Sequence, residues 1–258
     1  MQQIIENRPM TMGEIFSTGW GMFTKNAKEI LIASAIFFLP VSLLDGYFQM
    51  LLNYMNALVS NQVYPMWQDA VVGFLGMVAM PSVVITILTT VLLTLGQAVV
   101  YTMIYSYIDE QPLSIREASR LVGRRIIPLM GGQICAGVFI VIAICLFIIP
   151  GIYVVTIWQF FFMFMLFRGE GITESFSSSH RLVRGKWWFS FGVLVIITVI
   201  SWTMSEILGL VLSTDTMVPA IIHAFLGYCV DAAFYGVAIV YFLHREALVT
   251  NQSKHSKN

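Results

Sequence analysis

The sequence predicts an all-α integral membrane protein with six transmembrane helices and three amphipathic helices at the cytoplasmic membrane surface. Of its 258 residues, 58% are hydrophobic and only 11% are charged, and the mean hydropathy is +0.81. This composition is far more apolar than that of an ordinary soluble domain. Six apolar stretches approach the roughly 20 residues that a helix needs to cross a hydrocarbon core about 30 Å thick. Finally, all Lys and Arg residues lie in the two terminal segments and in every second connection between spans.

The six predicted spans are apolar throughout and differ mainly in length. They are Ile30–Met50, Ser82–Tyr107, Ile126–Phe147, Gly151–Phe167, Trp187–Gly209 and Val218–Leu243. The fourth is the shortest, and its aromatic side chains suit a membrane interface. Before it, Pro150 and Gly151 predict a helix-breaking tight turn. Residues 53–70 form the longest connection on the outer side, and residues 71–80 are expected to extend the second span or to form a short interfacial helix.

The distribution of positive charge predicts the orientation. All 14 Lys and Arg residues lie before the first span, between spans two and three, between spans four and five, or after the sixth. Lys and Arg near membrane ends stay on the cytoplasmic side. We therefore expect a multi-pass protein of the cell inner membrane with cytoplasmic N- and C-termini. The net charge of zero gives no reason to expect a nucleic-acid partner.

Each basic segment has helical periodicity, which predicts three amphipathic helices at the inner membrane surface. Capping-box sequences begin the first two, at Thr11–Glu14 and Ser114–Glu117. The third follows Ile172, and we expect its serine cluster to lie on the exposed surface. A phosphorylation site is the alternative interpretation of that cluster. Cationic side chains near an anionic surface contribute about 1 kcal/mol each. Those predicted to contact anionic lipid headgroups are Lys25, Lys28, Arg116, Arg120, Arg124, Arg181, Arg184 and Lys186.

The chain is expected to form a single polytopic domain over residues 1–258. It divides into three units, each a surface helix followed by two spans, at about residues 11–108, 114–168 and 173–243, with a short cytoplasmic tail at 244–258. Internal repetition of this kind is common in polytopic folds. The pattern therefore suggests a three-unit internal repeat.

Polar residues in spans five and six predict an intramembrane site. His223, Asp231 and Tyr235 share one helix face, and Glu206 in span five lies close enough to the same membrane end to pair with His223. Ionisable groups inside a bilayer are costly and often functional. This cluster is either a proton, ion or substrate site, or an interhelical hydrogen-bonding cluster. We expect Asp45 to be an interfacial carboxylate.

The remaining polar residues support structural interpretations. Gln97, Gln133 and Gln159 are expected to hydrogen-bond between helices. The three cysteines lie in apolar runs without ligand spacing and are expected to be small buried hydrophobes. The sequence contains no HExxH, no GxxxxGK[ST], no clustered Cys/His spacing and no GxSxG elbow. We therefore predict no metal, no cofactor, no catalytic residue and no enzymatic activity.

The stretch "LFIIPGIYVVTIWQFF" and the later "EGITESFSSSHRLVRGKWW" form a recognisable pattern of a turn, an aromatic span and a surface helix. The pattern resembles one in a broad group of bacterial six-span membrane proteins, which includes the membrane domain ahead of some glycerophosphodiester phosphodiesterases. The positions that carry the resemblance are Pro150, Gly151, Gly171, Glu174, Ser175, Ser179, Leu182, Gly185 and Trp187. The resemblance implies a bacterial inner-membrane protein. The phosphodiesterase activity is not expected, since about 15 residues follow the sixth span here.

Two functions remain open from the sequence. The first is a non-enzymatic protein of the bacterial cytoplasmic membrane that acts through lipid contact or as a membrane partner of other proteins. The alternative is a small transporter or exporter component with a polar site between spans five and six.

Overall fold

The computed structural model describes residues 9–60, 80–212 and 216–255, and they form helices without any strand. The helices are α1 (Met12–Lys25), α2 (Ala27–Ser60), α3 (Met80–Ile108), α4 (Ile115–Gly123), α5 (Ile126–Leu146), α6 (Ile148–Trp158), α7 (Phe161–Met163), α8 (Ile172–Val183), α9 (Trp187–Val211) and α10 (Met217–His255). A π-helical turn, Phe164–Arg168, follows α7. Arg8, Lys257, most of the predicted helix over 71–80 and the rest of the first outer connection lie outside the described residues.

Six stretches of these helices are long and apolar enough to cross a membrane. They are Ala27–Tyr54, Val83–Ile108, Ile126–Leu146, Ile148–Arg168, Trp187–Val211 and Met217–Asn251. The predicted all-α, six-span membrane class is therefore confirmed. The first span is longer than predicted, since α2 continues through residues 53–60, which were assigned to the outer connection.

The spans alternate in direction, so the molecule has two distinct ends. The basic end carries the surface helices α1, α4 and α8 and the C-terminal part of α10, with Lys25, Arg124 and Arg184 exposed there. The opposite end carries the reversals at Phe147 and after Leu212.

Helix α10 continues without a break from the sixth span through the predicted tail as far as His255. Three contacts anchor this extension to neighbouring elements. The Met10 N–H donates to His244 Nε2 at 3.2 Å, Arg245 Nη2 donates to the Leu182 carbonyl at 2.8 Å, and Arg168 Nε donates to Glu246 Oε1 at 2.8 Å. The contacts of His244, Arg245 and Glu246 thus tie the start of this extension to the rest of the bundle.

Helix α1 packs directly against α10, and two glycines allow the close approach. A Cβ on Gly19 would overlap the backbone of Val237, and a Cβ on Gly236 would lie 2.6 Å from the Gly19 carbonyl oxygen. Ile15 on α1 is completely buried as well. The first surface helix is therefore packed against the bundle.

Capping boxes begin α1 and α4, as the sequence predicts. The Ser114 Oγ accepts from the Glu117 N–H at 3.3 Å, and the Glu117 carboxylate accepts from the Ser114 N–H at 3.0 Å. The Ser114 hydroxyl also donates to the Glu117 carboxylate at 2.7 Å. This bond, together with the one from the Ser114 N–H, favours the charged carboxylate and lowers the pKa of Glu117. The sequence signal is reliable here because both partners lie within one helical turn.

The reversal before the fourth span lies at Phe147 and not at Pro150 and Gly151. Phe147 has extended backbone angles of φ −159° and ψ 139°, and α6 begins at the next residue. Pro150 and Gly151 lie in the first turn of α6, where a missing N–H costs little because the first amides of a helix lack intrahelical acceptors. A Cβ on Gly151 would contact the Ile144 backbone, so this glycine allows α6 to pack closely on α5.

Candidate functional site

The fourth span is broken at its centre. Helix α6 ends at Trp158, Gln159 and Phe160 interrupt it, and the short α7 and the π-helical turn complete the crossing. Backbone groups freed by a break inside a membrane must find other partners. Ser179 of α8 supplies them: its hydroxyl donates to the Ile157 carbonyl at 2.7 Å and accepts from the Phe160 N–H at 3.1 Å. Ser179 therefore stabilises the break.

This role corrects the prediction for the serine cluster of α8. Ser175 and Ser179 are completely buried and Ser178 is nearly so, whereas Ser177 is exposed. The α8 face toward the protein is thus lined with small polar side chains, and the helix contacts the fourth span closely enough to hydrogen-bond its backbone.

Replacing Ser179 with alanine is expected to lower the free energy of unfolding by about 1–3 kcal/mol, because two buried backbone groups lose their partner. The measurement is unfolding in mixed micelles with a rising fraction of dodecyl sulfate. Ser177→Ala is the matched control on the same helix, and it should leave stability unchanged. Equal unfolding curves for the two variants would contradict the role of Ser179.

A central cavity of about 230 Å³ lies beside the break. Four of its polar side chains, Gln97, Gln159, Ser201 and Asp231, come from different spans and lie close to the middle of each. The rings of Tyr101 and Tyr235 stack in its wall with centroids 4.5 Å apart. The cavity is therefore a chamber near the midplane in which a few polar groups lie among mostly apolar walls.

The wall of this chamber contains a buried amide donor without a protein partner. The Gln159 amide nitrogen is buried and makes no hydrogen bond. An unsatisfied buried donor costs roughly 1–3 kcal/mol. Because this amide lies at the helix break in the cavity wall, a ligand or a water molecule in the cavity would accept its hydrogen bond.

A second cavity of about 470 Å³ lies nearer the opposite end, between α2, α9 and α10. Asp45, Ser205, His223 and Tyr228 line it, and the Tyr228 hydroxyl donates to Asp45 Oδ2 at 2.6 Å. We call it the outer cavity. Asp231 lines both cavities, so its carboxyl lies at the boundary between them.

The structure therefore brings together three of the four predicted polar residues, Asp231, His223 and Tyr235. Glu206 is exposed, and the His223 Nε2 lies 3.1 Å from the Ser205 carbonyl oxygen rather than pairing with Glu206. Ser205 faces the outer cavity, and the next residue along a helix is rotated by about 100° away from it.

The site is also larger than the predicted contact between spans five and six. Asp45, expected at the interface, is half-buried and bonded to Tyr228, and Gln159 lies at the break in the fourth span. One signal in the sequence pointed toward Tyr228, since it lies one turn of helix from Asp231. Nothing local identified Asp45 as its partner.

The central cavity is closed toward the basic end by a layer around Tyr241. This side chain is completely buried, and its hydroxyl lies 2.6 Å from the Ser190 hydroxyl. Rings of Phe160 and Phe189 pack beside it with centroids 5.4 and 5.6 Å away. Beyond this layer, Arg245 bonds to the end of α8. The central cavity thus meets a packed layer on one side and the outer cavity on the other.

All eight cations predicted to contact lipid are exposed at the basic end. They are Lys25, Lys28, Arg116, Arg120, Arg124, Arg181, Arg184 and Lys186. Three other arginines have structural partners: Arg125 donates to the Leu166 carbonyl at 2.8 Å, and Arg168 and Arg245 hold α10 as described above. Arg125 and Arg168 are exposed as well, so what sets these three arginines apart is that they bond to backbone or carboxylate oxygens of other helices.

The cysteines are less buried than predicted, since Cys145 is exposed and Cys135 and Cys229 are half-buried. Most of the Cys145 surroundings are apolar helix surface, which in a membrane contacts lipid. Within the described part of the chain, no group of His, Cys, Asp and Glu residues is arranged to hold a metal ion.

Comparisons with models of protein families, with curated proteins and with solved structures found no match. The functional interpretation of this membrane protein therefore rests on the geometry of its own cavities, helix break and charged surface.

Proposed function

We propose that the chain is a small carrier or exporter component of a membrane, with a ligand site at the centre of the bundle. The observation that supports this most is Asp231, an acidic residue near the middle of a span that lines both cavities. A carboxyl at that depth costs about 2.5–3.5 kcal/mol on insertion scales. An ionisable residue that lies inside a membrane in spite of this cost usually has a function there.

The broken fourth span supports the same function. Discontinuous helices occur in transporters where irregular backbone lines a cavity near the midplane. Here the break places Gln159 and Phe160 in the central cavity wall. A π-helical turn follows, a feature that is frequent at functional sites.

The closures are different on the two sides of the site. The Tyr241–Ser190 layer separates the central cavity from the basic end, while Asp231 is shared with the outer cavity. A carrier exposes its site to one side at a time. We interpret this arrangement as the carrier conformation in which the central site is open toward the end of the molecule opposite the basic end.

Accessibility of single cysteines tests this function without knowledge of the substrate. In a chain whose three natural cysteines are replaced by alanine, Ala224→Cys places a thiol in the outer cavity and Ala238→Cys one in the central cavity. Maleimide reacts with the thiolate, which needs water to form. We expect a membrane-impermeant maleimide to modify both positions from the opposite end.

The matched control is Ile200→Cys, which lies on the exposed side of α9 and contacts lipid in a membrane. It should stay unmodified from either end. Modification of Ala224→Cys together with no modification of Ala238→Cys from either end would contradict a water-filled path to the central site, and with it the carrier function.

A second candidate function is contact with anionic lipid through the basic end, which the exposure of eight cations at that end supports. This interpretation includes a bacterial inner membrane, cytoplasmic termini and a non-enzymatic role. The resemblance to the bacterial six-span group is consistent with it. Alternatively, the basic end binds a partner membrane protein.

Neutralising Arg116, Arg120 and Arg124 together with glutamine tests the contribution of α4 to lipid contact. Each exposed cation near an anionic surface contributes about 1 kcal/mol, so the triple variant should retain clearly less phosphatidylglycerol when it is purified from mixed lipid. Native mass spectrometry measures the retained lipid. Arg125 stays unchanged because it bonds to the Leu166 carbonyl. The same amount of phosphatidylglycerol on both proteins would exclude α4 from lipid contact.

A further inference from the structure

An apolar cleft of about 370 Å³ opens between α5, α6 and α9. Its walls are hydrocarbon side chains such as Ile152, Val155 and Val199, and Thr198 is the only hydroxyl side chain among the described residues that line it. The cleft lies within the third, fourth and fifth spans, so its surroundings in a membrane are lipid chains.

The cleft and the central cavity share one wall residue, Leu194. On one side, Leu194 faces the apolar cleft. On the other, it faces the chamber that contains Asp231 and the unpartnered Gln159 amide. Leu194 therefore lies between an apolar groove on the lipid side and a midplane cavity that contains polar groups.

We propose that the ligand of the central site is a membrane amphiphile, whose polar head occupies the central cavity and whose hydrocarbon chain lies in the cleft. This proposal rests on the carrier function proposed above and specifies its substrate class. The ligand would reach the site from the bilayer between α6 and α9 by displacing the Leu194 side chain.

The chemistry of the chamber narrows the head group. The Gln159 amide calls for a hydrogen-bond acceptor such as an ester or hydroxyl oxygen. Among the described residues, neither cavity is lined by Lys or Arg, while Asp45 and Asp231 both lie in their walls. A phosphate head would have no cationic partner here. The head is therefore neutral or cationic and carries an acceptor oxygen.

The size of the site fits this class. Small-molecule sites commonly enclose about 300–1,000 Å³ and combine apolar walls with a few polar groups. The central cavity of about 230 Å³ and the cleft of about 370 Å³ reach this range only together, as a ligand that occupies both requires. The outer cavity of about 470 Å³ has room for a head group that leaves the central cavity toward the opposite end.

Photolabelling of the full chain in nanodiscs tests the proposal. The probes are diacylglycerol and phosphatidylglycerol that carry the same diazirine-bearing acyl chain, and mass spectrometry maps the modified residues. We expect the diacylglycerol probe to label residues of the cleft and central cavity, about tenfold more than the phosphatidylglycerol probe does, a ratio that reflects the missing cationic partner. Equal labelling by both probes would overturn the assigned head group.

Two variants locate the labelling. Leu194→Trp fills the boundary between the cleft and the cavity and should reduce diacylglycerol labelling of the central cavity about tenfold, whereas Ile207→Trp, on the exposed side of the same helix, should not. Gln159→Leu removes the amide donor and should have the same effect as Leu194→Trp. Because it changes no backbone partner, it serves if the tryptophan variant unfolds.

Labelling spread evenly over α5 and α9 and unchanged in Leu194→Trp and Gln159→Leu would overturn the amphiphile as ligand. That result would leave the cysteine accessibility of Ala238→Cys untouched. Failure of the ligand class and failure of the carrier function are therefore distinguishable.

Discussion

Replacing Asp231 with leucine is expected to slow maleimide modification of a cysteine at Ala238 at least about tenfold, the change that an added barrier of about 1.4 kcal/mol gives. Asp231 lines both cavities, so an apolar side chain there excludes water from the boundary between them. Modification of a cysteine at Ala224 should not change, because that residue lines the outer cavity. The measurement is the rate of modification from the opposite end.

Asp231→Asn separates the shape of this boundary from its charge. Asparagine has nearly the same volume as aspartate and stays polar, so water should still reach Ala238→Cys. Movement of an NBD-labelled diacylglycerol between leaflets, measured by dithionite bleaching, should nevertheless fall if the carboxylate takes part in transport. If maleimide modified Ala238→Cys at the same rate with Asp231 and with Asp231→Leu, the water path to the central cavity would not pass Asp231.

Gly19→Val is expected to destabilise the protein by about 1–3 kcal/mol, the usual cost of overpacking a tight contact. A Cβ at this position would overlap the Val237 backbone, which cannot move aside as a flexible side chain can. Helix α1 would have to separate from α10. Unfolding in mixed micelles measures the loss.

Gly21→Val on the same helix is the control. A Cβ there has no neighbouring atom within 4 Å, and replacing a helical glycine removes an entropic cost, so stability should stay equal or rise slightly. If both variants were destabilised equally, the loss would come from β-branching in α1 and not from the contact with α10.

The features predicted well from the sequence depend on residues close together in the chain. Each span is a continuous apolar run, and the capping boxes at Thr11 and Ser114 join residues three positions apart. The exposed cations follow from helical periodicity alone. These signals are local, so neither folding topology nor tertiary contacts can alter them.

The features that were missed depend on distant partners. Ser179 lies 22 positions from the Ile157 carbonyl that it satisfies, and the serine cluster was placed on the surface because it belongs to an amphipathic helix predicted at the membrane surface. Asp45 and Tyr228 are 183 positions apart. Only the packing of α2 against α10 makes them neighbours.

The prediction for Pro150 and Gly151 failed for a different reason. Both residues do mark a helix boundary, but proline is tolerated in the first turn of a helix as well as beyond its end. The sequence therefore locates the reversal to within a few residues, but it does not show whether Pro150 and Gly151 lie before or after the reversal. The prediction for Glu206 failed by one residue on α9, since the neighbouring Ser205 lines the outer cavity whereas Glu206 is exposed.

Native-nanodisc extraction followed by mass spectrometry tests the ligand site most directly. We expect one neutral or cationic amphiphile to accompany the wild-type chain in fixed ratio, enriched over the bulk membrane. Asp231→Leu and Leu194→Trp should lose it, while Ile207→Trp should keep it. Wild type and all three variants carrying the same lipids in the proportions of the bulk membrane would contradict a ligand site at the centre of this bundle.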